Sequence, residues 1–318
     1  MPIAPSGATF RPHLAQYVVE HQRLREAYAA PRILPYLDVD TEAGIFYRVP
    51  ATSTARLPNV AYNAKSGFNR DDFEMEEDTF ATKSYGFEGV LTDKDRARYG
   101  DAAAGESGVA AMTADIVMAN QEKRCADAIF NETTFPASGT TGVTVSNAWS
   151  SSSGTPITDV NTGRRVKQPL VGPEPNALII HYKTLCDLAT NAQIIDRLKA
   201  ISSIVENGML SVQQLQQVFA IPNVIVVGMN SYNTADKGVT ASLSGLWATG
   251  YAMLCYIADG DPRMSPQIGR TLAWSQYGSR MSVTQYRDDK VQGDVFQVWQ
   301  NVQEKVFGSR FGYLMKSV

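Results

Sequence analysis

Residues 61–89 read AYNAKSGFNRDDFEMEEDTFATKSYGFEG. The stretch contains no Ile, Leu or Val, but six aromatic residues (Tyr62, Phe68, Phe73, Phe80, Tyr85, Phe87) and an acidic knot from Asp71 to Asp78. It carries three basic and seven acidic side chains, a local net of −4 in a chain whose total is −3. Such a segment cannot build an aliphatic core of its own. It is also unlike a disordered linker, which is poor in aromatics. It therefore reads as an arm, ordered by contact with another part of the chain or with another copy of it. On its return leg Ala81, Lys83, Tyr85, Phe87, Gly89 and Leu91 share one face of an alternating pattern, which predicts a half-buried strand. The out and back legs would form a long two-stranded ribbon. A lone ribbon is marginal in water, so this one needs a surface.

The flanks give the arm its setting. Pro2, Pro5, Gly7 and Pro12 keep the start irregular, and His13 to Ala30 reads as a short helix ended by Pro31. Residues 32–38 and 44–49 are strand-like, the second stopped by Pro50. Thr92-Asp93-Lys94-Asp95 fits a capping-box-like helix start. Residues 105–131 form the longest predicted helix, with Val109, Met112, Ile116, Ala119, Ala126 and Ile129 on one stripe. At about 1.5 Å per residue it would run to roughly 40 Å, a strut as much as a core element.

Residues 136–157 are turn-rich, with Ser150 to Ser153 marking a loop. Residues 157–167 look helical, and Gly172-Pro173-Glu174-Pro175 is a break. Short alternating elements follow. They are a buried strand at 177–182, a helix from Lys183 to Ala200 with Leu185, Leu188, Ile195 and Leu198 inward, and a capping box at Ser211–Gln214 opening a helix with Leu215, Val218 and Phe219 inward. Strands are expected at 221–228, 247–257 and 271–275, and the tail from Ser282 to Val318 is mostly extended. No internal repeat is visible. The pattern predicts an α+β chain with one compact mixed part, roughly 176–280, and one elongated strut-and-ribbon part.

The 318 residues, 44% of them hydrophobic, suffice for a sizeable core. A net charge of −3 argues against a dedicated nucleic-acid binder. Three dispersed cysteines, Cys125, Cys186 and Cys255, form no disulfide framework and suit a reducing compartment. The opening MPIAPSGATFRPH has no apolar signal-like run, and the longest apolar run, 245–258, is too short to span a bilayer. A soluble protein made in the cytoplasm is expected.

The search for catalytic chemistry finds no nucleophile elbow, no phosphate-binding Gly-rich loop and no zinc spacing. His13 and His21 lie in the N-terminal arm. His181 ends a strand and reads as a satisfied polar residue, since a catalytic histidine needs a positioned partner. Asp259-Gly260-Asp261 resembles a piece of a calcium loop but lacks the downstream glutamate, so a surface turn is the simpler reading. The acidic run Asp71–Asp78 reads as a solvated turn, a contact with a basic patch on a neighbour, or a cation site. Arg164, Arg165 and Lys167 could meet phosphate or that acidic run, or simply complement a helix end. Asn131-Glu132-Thr133 matches a glycosylation sequon that should be silent without a signal. No catalytic residue, metal or cofactor is predicted.

The series of elements resembles the major capsid proteins of tailed bacteriophages, which share the HK97 fold. The sequence likeness is best in the second half. It runs through Trp149 with its serines and Pro156-Ile157-Thr158-Asp159-Val160, Pro175 to Ile180, and Leu210-Ser211 through Phe219. It continues in Val224 to Gly228, Tyr232-Asn233, Leu246-Trp247 and Gly312 to Lys316. The resemblance implies an N-terminal arm (1–30), an extended loop region (31–91), a peripheral domain (92–175) with its spine helix (105–131), and an axial domain (176–284). A return strand to the peripheral domain (285–304) and a C-terminal axial strand (305–318) would follow.

It further implies a structural protein that self-assembles through hexamers and pentamers into an icosahedral head shell around double-stranded DNA, in the virion and assembled in the bacterial cytoplasm. Tyr62, Phe68, Phe73, Glu74, Glu76, Glu77, Phe80, Tyr85 and Phe87 would be the loop's contacts with the next subunit. Arg11, Arg23, Arg25, Arg164, Arg165 and Lys167 would be a basic partner surface or face the DNA without reading its sequence. Scaffold, portal and decoration proteins are possible partners, and a membrane is not. Lys65 and Lys83 lie where some relatives crosslink, but no motif fixes the asparagine or glutamate, so crosslinking is not expected. Removing 61–89 should leave a foldable subunit that cannot form stable shells. The competing readings are an encapsulin-like compartment enclosing cargo protein, a hydrolase using Asp259 and Asp261, and a tail or fibre component, for which β-repeats are missing.

Overall fold

One long helix lies across two β-sheets and ties them into a single body. The computed structural model describes residues 9–10, 28–48, 56–58, 60–61, 68–70, 72, 74–99, 102–201, 210–228, 230–232, 242–257, 267–277 and 280–318. The spine helix runs Ala102–Ile129, starting three residues before the predicted 105 and ending two before 131. Its alanines favour helix, and just beyond its end the Asn131 side chain accepts the backbone N–H groups of Thr133 and Thr134, which turns the chain away.

This helix turns the expected stripe to the core at Val109, Ala119, Ala126 and Ile129 but not at Met112 and Ile116. Its buried face is Ala110, Ala114, Val117, Met118, Cys125, Ala126 and Ile129, whereas Met112 is 71% exposed and Ile116 41%. The cause is close approach. A Cβ on Gly89 would stand 2.2 Å from Thr113 Oγ1 and 2.8 Å from Val109 Cγ1. Small residues let strand and helix backbones meet, and the larger side chains are left on the flank.

The six-stranded sheet is built on Gly293–Val306. Along one edge it pairs with Lys83–Thr92, from Gly293↔Thr92 to Val302↔Lys83. On the other edge Ser282–Asp288 pairs with its first half and Gly269–Trp274 with its second. Tyr36–Val39 lies parallel to Gly269–Trp274, and Thr9–Phe10 pairs with Thr284 and Gln285. Phe296, Val298, Val283 and Leu91 point to the first half of the spine and pack on Ala110, Ala114 and Val117.

The predicted single return leg is therefore two strands. Glu76–Ala81 pairs with Ala43–Arg48 as the ribbon, while Lys83–Thr92 belongs to the sheet. The break is Thr82, whose N–H (2.8 Å) and hydroxyl (3.1 Å) both donate to the Glu42 carbonyl. Segment 61–89 is thus not a separable arm, because its removal would take out most of a sheet strand. Pro31 opens a helical turn, Ala30–Ile33, instead of ending one, since a proline in the first turn forfeits no hydrogen bond. The rest of the predicted His13–Ala30 helix lies outside the described residues, apart from Tyr28 and Ala29 ahead of the turn.

The five-stranded sheet has the order Gly142–Thr144, Gly312–Lys316, Tyr251–Cys255, Ala177–His181, Asn223–Val227. Both faces are covered. Ala177, Ile179, Ile225, Met253, Cys255 and Leu314 face the second half of the spine, with Ile33, Leu34, Phe135 and Trp247. Leu178, Ile180, Leu254, Tyr313 and Met315 face four helices, Pro156–Val171, Tyr182–Thr190, Ala192–Ile201 and Val212–Phe219. The predicted 183–200 helix is interrupted at Asn191, whose amide donates to the Trp149 and Gly154 carbonyls and whose Oδ1 accepts from the N–H of Gln193. That interruption shifts the phase, so Ile194 is buried in place of Ile195. The Ser211–Gln214 capping box forms in both directions. A boundary at 284 does not follow the sheets, because Gly269–Trp274 and Ser282–Asp288 pair with Gly293–Val306, and Gly142–Thr144 pairs with the C-terminal strand.

Candidate functional site

The ribbon leaves the body from a tightly held root. Lys305 Nζ reaches Asp78 Oδ1 at 2.8 Å and the Thr79 carbonyl at 3.0 Å. Gln303 Oε1 accepts from the Ala81 N–H at 2.9 Å, and the rings of Phe46 and Phe307 meet edge-on at 5.6 Å. Beyond the root the side chains lose their cover. Ile45, Tyr47, Leu57, Val60, Phe68 and Met75 are all exposed, Leu57 at 99%. Farther out the Asn69 amide donates to the Ala61 carbonyl at 3.1 Å.

The nine predicted contact residues divide into distinct groups. Tyr62 and Phe73 lie outside the described residues. Phe68, Glu74, Glu76 and Glu77 are exposed on the ribbon. Phe80 is half-buried over Gly44, and Tyr85 carries the Arg124 guanidinium 3.6 Å above its ring, so both already have partners within the chain. Phe87 stands on the sheet, 48% exposed. Glu76, Glu77 and Asp78 lie along a ribbon strand and not in a turn at its tip, because the ladder runs out to Arg48↔Glu76. Asp78 is already engaged by Lys305.

Of the basic residues, Arg11, Arg23 and Arg25 lie outside the described residues. Arg165 is exposed. Arg164 is occupied by Glu174 (2.5 Å) and the Phe219 carbonyl (3.2 Å). Lys167 is not a surface residue. It is fully buried, donates to the Ser309 carbonyl at 3.2 Å, and is pushed down to about 8 by desolvation. The periodicity of its helix turns it inward, so it can meet neither DNA nor a neighbour.

No nucleophile–base pair appears among the described residues. His181 Nδ1 accepts the Lys183 N–H at 3.0 Å and so caps the helix that follows it, while burial holds its imidazole below the usual range. Asp259, Asp261, His13 and His21 lie outside the described residues. A cleft of about 230 Å³ beside the ribbon root is lined by Lys83, Tyr85, Arg124 and Glu304, but Arg124 is already held by Glu304 in two bonds of 3.0 Å.

A group that sequence reading missed is Glu122. It is 2% exposed on the spine, and it accepts from the N–H groups of Ala29 (3.2 Å) and Ala30 (2.7 Å) and from Trp247 Nε1 (2.5 Å). One carboxylate thus joins the N-terminal segment, the spine and the loop before Tyr251–Cys255. Burial pushes its carboxyl above the ordinary range. Its neighbours Asn120, Gln121, Lys123 and Arg124 are polar, so no local signal in the sequence marks it as buried.

No family model matches the chain, and no curated relative matches it. Solved structures do. A phage-related protein from Bordetella bronchiseptica RB50 superposes with a TM-score of 0.74 at 20% identity, covering 98% of each chain. A virus-like particle from Pyrococcus furiosus gives 0.56 at 9% identity, over 96% of this chain and 98% of the other. The capsid of cyanophage P-SCSP1u gives 0.57 at 12% identity, over 90% and 86%. The fold is the α+β, HK97-like fold of phage capsid proteins, and it extends over nearly the whole chain.

Proposed function

We propose that this chain is the major capsid protein of a tailed bacteriophage, a structural protein whose copies assemble into the icosahedral shell around the genome. The observation that carries the reading is the ribbon: a rigidly rooted two-stranded projection with Ile45, Tyr47, Leu57, Val60, Phe68 and Met75 exposed, on a body with the capsid fold. Exposed apolar side chains of this kind gain burial on another molecule. Each copy offers the same row, so contacts worth about 25 cal/mol per Å² of apolar surface repeat throughout the shell.

In this reading Phe68, Glu74, Glu76 and Glu77 meet the next subunit, together with Tyr62 and Phe73. The six-stranded sheet with the first half of the spine is the peripheral part, and the five-stranded sheet with its four helices is the axial part. The role is mechanical and not enzymatic. Double-stranded DNA is contacted loosely through Arg11, Arg23 and Arg25, because a chain of net −3 cannot bind phosphate strongly. Scaffold, portal and decoration proteins are the partners such a shell would use.

The test is expression of the chain alone, followed by size exclusion and negative-stain microscopy, beside a variant in which residues 49–75 are replaced by a short Gly-Ser turn. Shells or capsomers from the full chain, with a folded but unassembled variant, are expected. A full chain that stays monomeric at every concentration overturns the reading, as does a truncated chain that forms normal shells.

A further inference from the structure

We propose that the strand Lys83–Thr92 is a self-pairing edge that takes the same strand of a second copy, antiparallel about a two-fold axis, so that two six-stranded sheets become continuous. This goes beyond the ribbon contact and does not use it.

Two independent observations coincide here. The first is the edge. Lys83–Thr92 is laddered to Gly293–Val306 along one side through ten residue pairs, and no described strand lies on its other side. A long, regular, unpaired edge is a template for another strand. The second is the flank of the spine. Ala110, Ala114 and Val117 sit over the sheet's middle, while Val109 and Thr113 sit over Gly89. At about 100° per residue, Met112 and Ile116 fall on the far side of Val109 and Thr113, beyond the sheet's edge. Their 71% and 41% exposure is what a missing neighbour leaves. Phe87 shares the helix-side face with Gly89 by the two-residue period of a strand.

The occupant is a second copy because this strand complements itself. A two-fold axis perpendicular to the sheet keeps helix-side residues on the helix side. With Phe87 on the axis, Phe87 faces Phe87, Tyr85 faces Gly89, Ser84 faces Val90, Gly86 faces Glu88 and Lys83 faces Leu91. Away from the axis, Tyr85, Val90 and Glu88 each meet Gly or Ser, and no like charges are opposed. The helix flanks carrying Met112 and Ile116 then approach each other along the seam. The sheet's other edge strands among the described residues, Tyr36–Val39 and Thr9–Phe10, have only four and two residues and offer much shorter ladders. Same-patch pairing about a two-fold axis is the commonest way for identical chains to close.

The test is a disulfide. Cys186 is the exposed native thiol and is first replaced, Cys186→Ser, while Cys125 and Cys255 are buried. Directly opposed residues stand about 4.5–5.5 Å apart at Cα, within disulfide reach. Phe87→Cys, oxidised by dissolved oxygen with copper–phenanthroline, should run as a dimer on a non-reducing gel. Ser84→Cys, whose mate would lie about 20 Å away along the pairing, should stay monomeric. Adding Met112→Glu and Ile116→Glu should abolish the Phe87→Cys dimer while circular dichroism and the melting temperature stay unchanged, since both side chains are exposed in the single copy. The proposal is overturned if folded Phe87→Cys gives no dimer, or if Ser84→Cys crosslinks as well, or if Phe87→Cys joins a different position or protein.

Discussion

Glu122→Ala should be among the most damaging single substitutions in the unassembled subunit. It strips the acceptor from three buried donors at once: the N–H groups of Ala29 and Ala30 and Trp247 Nε1. An orphaned buried donor costs about 1–3 kcal/mol. Relief of carboxylate desolvation offsets part of the sum, which leaves a net loss of about 3–5 kcal/mol, the range for breaking a buried charged contact. Glu122→Gln separates the two effects. Its amide oxygen keeps part of the acceptor set and its charge is gone.

Because burial raises the folded-state carboxyl above its unfolded value of 4.5, the folded protein holds a proton that the unfolded chain releases. The stability this contributes is complete below 4.5 and is lost as pH rises through the folded value. Among the described residues, nearby ionisable groups are the buried Cys125 thiol one turn along the spine and the Arg124–Glu304 pair. Burial, helped by the Glu122 charge, holds the Cys125 thiol well above its ordinary range, so that thiol stays protonated from pH 4.5 to 7 and the difference between wild type and Glu122→Gln follows this carboxyl. That difference should move in favour of wild type as pH falls from 7 towards 4.5. Urea unfolding followed by tryptophan fluorescence measures both quantities, and amide exchange at Ala29 and Ala30 locates the loss. A Glu122→Ala change below about 1 kcal/mol, or a wild type-to-Gln difference that is flat with pH, would refute the reasoning.

Lys167 has the opposite linkage. Its folded value of about 8 lies below 10.5, so its contribution is present above 10.5 and lost as pH falls through 8. Wild type should gain on the order of 3 kcal/mol between those limits; Lys167→Met should lack that gain, as read from urea midpoints at pH 7.5 and 10. Gly89→Val drives a Cβ into Thr113 and Val109 and should cost about 1–3 kcal/mol through overpacking; an unchanged midpoint would mean the strand can stand off the spine. Lys305→Met removes the tie to Asp78 and Thr79. Global stability should fall by less than about 1 kcal/mol, since the pair is partly exposed, yet limited proteolysis within 43–48 and 76–81 should accelerate.

Local signals survived the passage from sequence to structure. The Ser211–Gln214 box, the buried run at 177–181 and the long helix all depend on neighbours within a few positions. Signals that depend on distant partners did not. Glu122 is buried by residues 92 and 125 positions away. Lys167 is buried against Ser309, 142 positions on. On the spine the stripe holds at Val109, Ala119, Ala126 and Ile129 and fails at Met112 and Ile116, where close backbone approach at Gly89 puts the small residues inside. The arm was drawn as one unit because composition does not mark Thr82, where a hydrogen bond to the Glu42 carbonyl hands the chain from ribbon to sheet.

The stretch lacking Ile, Leu and Val runs past that hand-over, through Lys83 to Gly89 of the sheet strand. Aliphatic residues resume at Val90, which is 45% exposed, and at Leu91, which is buried against the spine. On the ribbon side the chain has two opposed requirements. If the chain assembles as proposed, a free subunit must not aggregate through an exposed two-stranded edge, yet an assembled one must bury that same surface. Glu74, Glu76 and Glu77 meet the first requirement by charge at a cost that a partner surface can neutralise. Tyr47, Phe68 and Met75 meet the second with large, adaptable contact area. β-Branched aliphatics in place of the acids would strengthen the strands and the adhesion together, and would favour aggregation of the free subunit. The clamp of Lys305, Gln303 and Phe307 completes the device. Because the root is held by the central strand of the sheet, burial gained at the ribbon is transmitted to the body and is not dissipated in a hinge.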